Sequence, residues 1–137
     1  MWIPFPSRRR ILYWLPAVLL ALLIFILSSI PYFGPLEVPV LKDSDKLIHG
    51  FIYGLLAVLV LWGWQAGFRS FPALSAFFGS AAGSILYGAF DEWHQSFVRN
   101  RTPSSLDWYA DSAGAIVGIV LVWLYLRHRR SRWESRR

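Results

Sequence analysis

Long apolar runs separated by short polar stretches organise this chain. Residues 11–30 are twenty in a row without a charge, and so are residues 71–90. A third run follows Asp45 and Lys46, and residues 112–126 supply fifteen more, with small residues at their start. About twenty apolar residues cross the roughly 30 Å hydrocarbon core of a bilayer. The pattern therefore predicts an all-α membrane protein with four transmembrane helices, at about residues 11–30, 45–65, 71–95 and 105–126, followed by a basic tail at 127–137. Pro31, Pro35 and Pro39 with Gly34 mark a loop after the first helix, and Ser44 can cap the second. Residues 67–70 read as a tight turn, with Pro72 suited to the first turn of the third helix. A basic head before an apolar run also describes a secretory signal. Here the run is too long, and Leu27-Ser28-Ser29 offers no small-x-small cleavage site.

Composition agrees with that class. Hydrophobic residues make up 55% and charged residues 16%, far from the balance of a soluble domain. A length of 137 residues fits one domain. The net charge of +6 raises the question of nucleic acid, but most of the basic residues flank apolar helices at the chain ends. The positive-inside rule explains that placement, so no nucleic-acid partner is expected. Ten Lys and Arg fall on the side of the two termini and four (Lys42, Lys46, Arg99, Arg101) on the other, which predicts an N-in, C-in arrangement. All acids except Glu134 then lie toward the outer side. The absence of cysteine excludes disulfide and thiolate chemistry. The arginine-rich tail reads as a topology determinant that contacts anionic lipid.

Helices approach closely in lipid through small residues at four-residue spacing. Gly50, Gly54 and Ala57 form one such line, and Ala110, Gly114 and Gly118 another. The third helix has Gly79 and Gly83, with Ser80, Ser84 and Gly88 on a neighbouring line. The first helix has only Ala17 and Ala21. Helices two to four are expected to form a tight glycine-lined bundle, with helix one beside it.

Residues 91–111 concentrate the chemistry. They hold four of the eight carboxylates, one of three histidines and two arginines, between membrane-length apolar runs where charge is costly. Asp45, His49 and Tyr53 recur every fourth residue on the second helix, with Lys46 alongside. Asp45 is open to a simpler reading as an acid in a first helical turn, and His49 to one as an interhelical hydrogen bonder. Asp91 and Gln95 share a face of the third helix, with Glu92 at its edge. Both acids lie near that helix's C-terminus, where the macrodipole disfavours anions, so capping does not account for them. Arg99, Arg101, His49 and Lys46 are their candidate partners. Ser104-x-x-Asp107 has the form of a capping box. Asp111, one turn deeper, needs another explanation. Trp93, Trp108, Tyr109 and Tyr32 read as interfacial belt residues.

These residues resemble, in their spacing, the VanZ-like family of small bacterial polytopic membrane proteins. The likeness rests on Leu27-Ser28-Ser29-Ile30-Pro31, Asp45-Lys46-x-x-His49-x-x-x-Tyr53 and Asp91-Glu92-x-x-Gln95-x-Phe97, then Arg101, Ser104 or Ser105, Asp107, Gly114 and Gly118. It covers residues 28–118 and implies a multi-pass protein of the bacterial cytoplasmic membrane. It also implies that Asp45 and Asp107 belong with the site. The family is named for a protein associated with low-level teicoplanin resistance, and the resemblance supplies no mechanism. Where the family often carries asparagine four residues after the aspartate, this chain has Asp111.

Two functional readings follow. In the first, an outward pocket of Asp45, Lys46, His49, Tyr53, Asp91, Glu92, Gln95, Arg99, Arg101, Asp107 and Asp111 binds an envelope amphiphile, either a lipid-linked cell-wall intermediate or an acylated glycopeptide. Arg99 and Arg101 would grip a phosphate or carboxylate, and membrane lipids would surround the helices. In the second, a membrane-embedded enzyme acts on a lipid-linked phosphate or acyl substrate, with His49 or Glu92 as general base and Arg101 stabilising negative charge. A third possibility is that the cluster only locks the bundle. His49, Asp91, Glu92, Asp107 and Asp111 could instead hold a divalent metal, but no two histidines have a recognisable ligand spacing, so neither metal nor cofactor is assigned.

Overall fold

The computed structural model describes residues 7–31, 45–67 and 73–134. The 32–44 loop with Tyr32 and the Ser44 cap, the 68–72 turn, and the side chain of Asp45 lie outside the described residues. The chain enters through a 3-10 segment, Ser7–Trp14, that leads directly into α1, Leu15–Ser28. The α-helical register starts there because Pro16 lacks an N–H and its ring clashes with a carbonyl one turn back, which only a first turn tolerates. At the other end of α1 the Ser28 and Ser29 hydroxyls both donate to the Phe25 carbonyl, at 3.2 and 2.6 Å. Pro31 follows.

The remaining helices are α2, Asp45–Gly67, α3, Ala73–Gln95, and α4, Ser105–Glu134. Where the apolar pattern stops at Leu126, α4 continues to Glu134, since the arginines that follow favour helix and no Gly or Pro interrupts them. Arg127 and Arg129 fold back over Trp123 and Tyr125, one turn earlier, at 5.3 and 5.9 Å. Among the described residues, four helices are long and apolar enough to cross a membrane: Arg10–Ser28, Lys46–Gly67, Ala73–Gln95 and Ser105–Arg129. The surface agrees with that solvent. Phe51, Phe78 and Leu86 are about 70% exposed, while Ser80, Ser84, Asp91 and Asp111 are buried.

Successive helices alternate in direction, so the C-termini of α1 and α3 meet the N-termini of α2 and α4 at one end. The parallel pair α2 and α4 makes the most extensive contact, α3 packs on both, and α1 lies mainly against α2. Glycine dictates the α2–α4 approach. A Cβ at Gly54 would come within 2.8 Å of the Gly114 carbonyl oxygen, and one at Gly118 within 2.7 Å of the Gly54 carbonyl oxygen. At Gly114 a Cβ would collide with the carbonyl of Gly50. On α3 the neighbouring line does the packing: Ala76, Ser80, Ser84 and Gly88 are buried. A Cβ at Gly83 would meet nothing within 4 Å and one at Gly79 only the Trp64 indole nitrogen at 4.0 Å, so both lie outside the tight contact. Below the polar end, Ala57, Leu61, Ala76, Ala115 and Ile119 form the apolar core.

Candidate functional site

Three helix ends deliver the polar side chains. The last turns of α3 turn Asp91, Glu92 and Gln95 inward, where they are 3%, 9% and 6% exposed. The first turns of α4 bring Asp107 and the fully buried Asp111, and those of α2 bring Lys46, His49 and Tyr53, the last 1% exposed. Lys46 Nζ donates to Asp107 Oδ1 at 2.7 Å. His49 Nδ1 lies 3.1 Å from Asp111 Oδ1. Gln95 Nε2 donates to Asp91 Oδ2 at 3.0 Å, one helical turn away. Two parallel ties thus run from α2 to α4, and Asp91 is held from its own helix.

Glu92 corrects the expectation that capping cannot explain it. Its Oε2 accepts the backbone N–H of Ser104 at 2.6 Å, at the start of α4. Ser104 Oγ in turn accepts the Asp107 N–H at 3.4 Å. In a capping box the acid three residues into the helix returns to the cap residue's N–H. Here Asp107 is drawn to Lys46, and Glu92 takes that place from the neighbouring helix. The intervening loop supports the reach by turning tightly at Asn100, whose φ of 60° is a left-handed conformation that asparagine tolerates.

The arginines are also placed differently from expectation. Arg101 donates through Nε to the Ile30 carbonyl at 3.3 Å and through Nη2 to the Leu27 carbonyl at 3.1 Å. A helix C-terminus leaves carbonyls without intrahelical donors and carries negative potential, and the guanidinium answers both. Arg99 is exposed. Neither arginine pairs with Asp91 or Glu92. The same helix end is held a second time, where Ser29 Oγ and His94 Nε2 lie 2.9 Å apart and the His94 ring packs on Phe25 at 4.5 Å. Trp93 and Tyr109 are exposed like belt residues, but Trp108 is half-buried and donates Nε1–H to the Ile85 carbonyl at 3.1 Å.

The centre of the cluster is rich in acceptors. Asp91 and Asp111 both lie within electrostatic reach of the Tyr53 hydroxyl, and Asp107 and Asp111 within reach of Glu92. Tyr53 Oη, Asp91 Oδ1, Glu92 Oε1 and Asp111 Oδ2 are buried without a hydrogen-bond partner. Leaving such a group unpaired costs about 1–3 kcal/mol each. Ser84 Oγ and Ser112 Oγ are in the same condition, but the other four belong to residues coupled electrostatically at one end of the bundle. Among the described residues, no three His, Asp or Glu side chains converge as a metal-ligand set. The arrangement suits a ligand that donates hydrogen bonds, through hydroxyl or ammonium groups.

Several contacts had no sequence signal beyond residue type. The Tyr87 hydroxyl donates to the Ala21 carbonyl at 2.6 Å, which joins α3 to the middle of α1. The Ser29–His94 contact spans 65 positions. Arg101 could have been assigned to α1 by asking which donor serves the carbonyls ahead of Pro31.

Four alternating apolar helices around a buried polar cluster define a multi-pass membrane protein. The sequence profile of the VanZ/LLP1 family matches residues 2–126, and the chain belongs to that family. Comparison with curated proteins and with solved structures gives no match.

Proposed function

We propose that this protein sits in the bacterial cytoplasmic membrane with its polar end outward and binds there the head group of an envelope amphiphile. The unpaired buried oxygens of Tyr53, Asp91, Glu92 and Asp111 carry the reading. They favour a donor-rich head, such as the hydroxyls and amines of a lipid-linked cell-wall sugar or an acylated glycopeptide. A phosphate grip by Arg99 and Arg101 is not part of it, since Arg101 is bound to α1. Sequestering such a ligand would link the protein to glycopeptide tolerance.

A ligand that binds only the folded state raises Tm. Teicoplanin and a lipid-linked cell-wall disaccharide are therefore to be added separately to purified protein. The expected result is a Tm rise with at least one of them, reduced to zero in Asp111→Asn. An equal rise in wild type and variant would remove the pocket from the binding event.

One observation favours the enzymatic alternative. His49 stands against the fully buried Asp111, the base-and-orienter half of an acid–base arrangement. Chemistry on a lipid-linked phosphate or acyl group would then depend on His49 as base. Conversion of either added compound by wild type, abolished in His49→Ala with binding retained, would establish that reading over simple binding.

A further inference from the structure

The glycine seam that joins α2 to α4 leaves a trough on its outer side. With no side chains at Gly50, Gly54, Gly114 and Gly118 the two backbones touch, and larger residues stand up on either bank. Phe51, Leu55 and Val58 line one bank, and Ala113, Val117 and Leu121 the other. The groove encloses about 630 Å³, within the range of roughly 300–1,000 Å³ typical of small-ligand sites. Fourteen residues line it, and thirteen of them are apolar or glycine. The exception is Lys46, at the end next to the polar cluster, where its ammonium meets Asp107 at 2.7 Å.

Its length discriminates between occupants. On α2 the lining runs from Lys46 to Val58 and on α4 from Ala110 to Val122. Twelve residues at 1.5 Å each make about 18 Å. One leaflet of hydrocarbon is half of roughly 30 Å. The groove thus reaches from the polar end to about the bilayer midplane and stops, although α2 continues to Gly67 and α4 to Glu134. A partner helix crossing the whole membrane would need a track along the full length of both helices. An acyl chain of one leaflet needs only this much, and Lys46 stands where the phosphate of such a lipid begins.

We propose that the α2–α4 groove holds one acyl chain of a phosphate-bearing membrane lipid, with the phosphate beside Lys46. The proposal rests on the amphiphile-binding reading and extends it, because the groove runs up to Lys46, which is tied to Asp107 of the polar cluster, and gives the ligand's tail a place. The Lys46–Asp107 pair forms the boundary between the seat for the tail and the seat for the head.

Native mass spectrometry of the full chain in detergent, titrated with palmitoyl-oleoyl phosphatidylglycerol or the matching phosphatidylcholine, tests this. Wild type is expected to retain one phosphatidylglycerol. Ala113→Trp, from an exposed position that fills the trough, is expected to weaken retention about tenfold or more. Lys46→Gln is expected to lower retention of phosphatidylglycerol toward that of phosphatidylcholine. Should Ala113→Trp bind lipid as wild type does, the groove is not a chain site. If instead wild type is a dimer that Ala113→Trp makes monomeric, a second copy occupies the groove and the proposal is overturned. A phosphatidylglycerol bearing a diazirine in its acyl chain gives a measurement independent of the variants: labelling of peptides containing Phe51 or Val117 supports the site, and labelling only elsewhere contradicts it. Asp111→Asn leaves the groove walls untouched, so lipid retention that survives in it while its teicoplanin or disaccharide response is lost separates the two readings.

Discussion

At one end of the bundle, Trp14 lies across Gly63, where an added Cβ would sit 3.0 Å from the indole, and meets Trp64 edge-on at 5.1 Å. Tyr13 meets Trp62 in the same manner at 5.4 Å. At the other end the same first helix is held by Arg101, Ser29 and His94 through hydrogen bonds. The aromatic end needs no charge and, among the described residues, leaves no buried polar atom unpaired. Of the six such atoms among the described residues, four belong to Tyr53, Asp91, Glu92 and Asp111 at the polar end, with Ser112 Oγ next in sequence to Asp111 and Ser84 Oγ at mid-helix in α3. In lipid, where apolar burial gives helices little reason to associate, packing of rings on glycine and hydrogen bonding are alternative ways to hold a bundle together. A protein that needed only a stable bundle had the first available. The second end therefore carries a cost that the aromatic end avoids, and the ligand-binding proposal is the reading of that cost.

That contrast can be broken most directly at Trp14. Trp14→Ala is expected to lower unfolding stability by about 2–3 kcal/mol, below the full cost of a buried Trp because Trp14 is only half-buried. Thermal unfolding in detergent would read it as the largest drop in this series, and a smaller drop than in the variants below would mean that the aromatic contact does not hold α1. At the opposite end, Arg101→Ala removes the donors to Leu27 and Ile30 and is expected to cost about 1 kcal/mol. Hydrogen exchange at the amides of Ser29 and Ile30 would accelerate, and unchanged exchange would show that α1 does not depend on that arginine.

The smallest effect has the opposite sign. Asp91→Asn keeps the shape of the side chain and removes a buried charge from beside the Tyr53 hydroxyl. Its stability is expected to equal or exceed that of wild type by up to about 1 kcal/mol, while ligand-induced Tm shifts disappear. A loss as large as that of Arg101→Ala would instead make the cluster a fastening of the bundle.

The four spans were legible because each is an apolar run of membrane length, a property that tertiary contacts do not override. The charged stretch 91–111 was legible as the place of interest for the same reason, since charge stands out against such runs. What was not legible is who binds whom. Ser104-x-x-Asp107 looked complete as a local capping box, but Lys46, 61 positions away, takes the Asp107 carboxylate and leaves the cap to Glu92. Arg101 looked like a ligand-gripping group because the carbonyls it serves belong to a helix more than 70 positions earlier. Gly79 and Gly83 fitted the small-residue spacing as well as Ser80 and Ser84 did, and spacing alone does not say which line faces a neighbour. Pairing across helices is set by rotation and depth, which a one-dimensional pattern does not encode.

The carboxylate of Glu92 on the Ser104 amide has a consequence for how the protein is made. As α3 leaves the ribosome and its insertion machinery, an acid near its trailing end has no donor from anything already synthesised in that position; the donor arrives nine residues after Gln95, with the first residue of the next segment. The seam of Gly50 and Gly54 likewise has no counterpart until Gly114 and Gly118 emerge. Helix α4 is thus the one that completes two earlier ones. Assembly of these contacts waits for α4, and a chain stopped short of it holds neither its seam nor its cap.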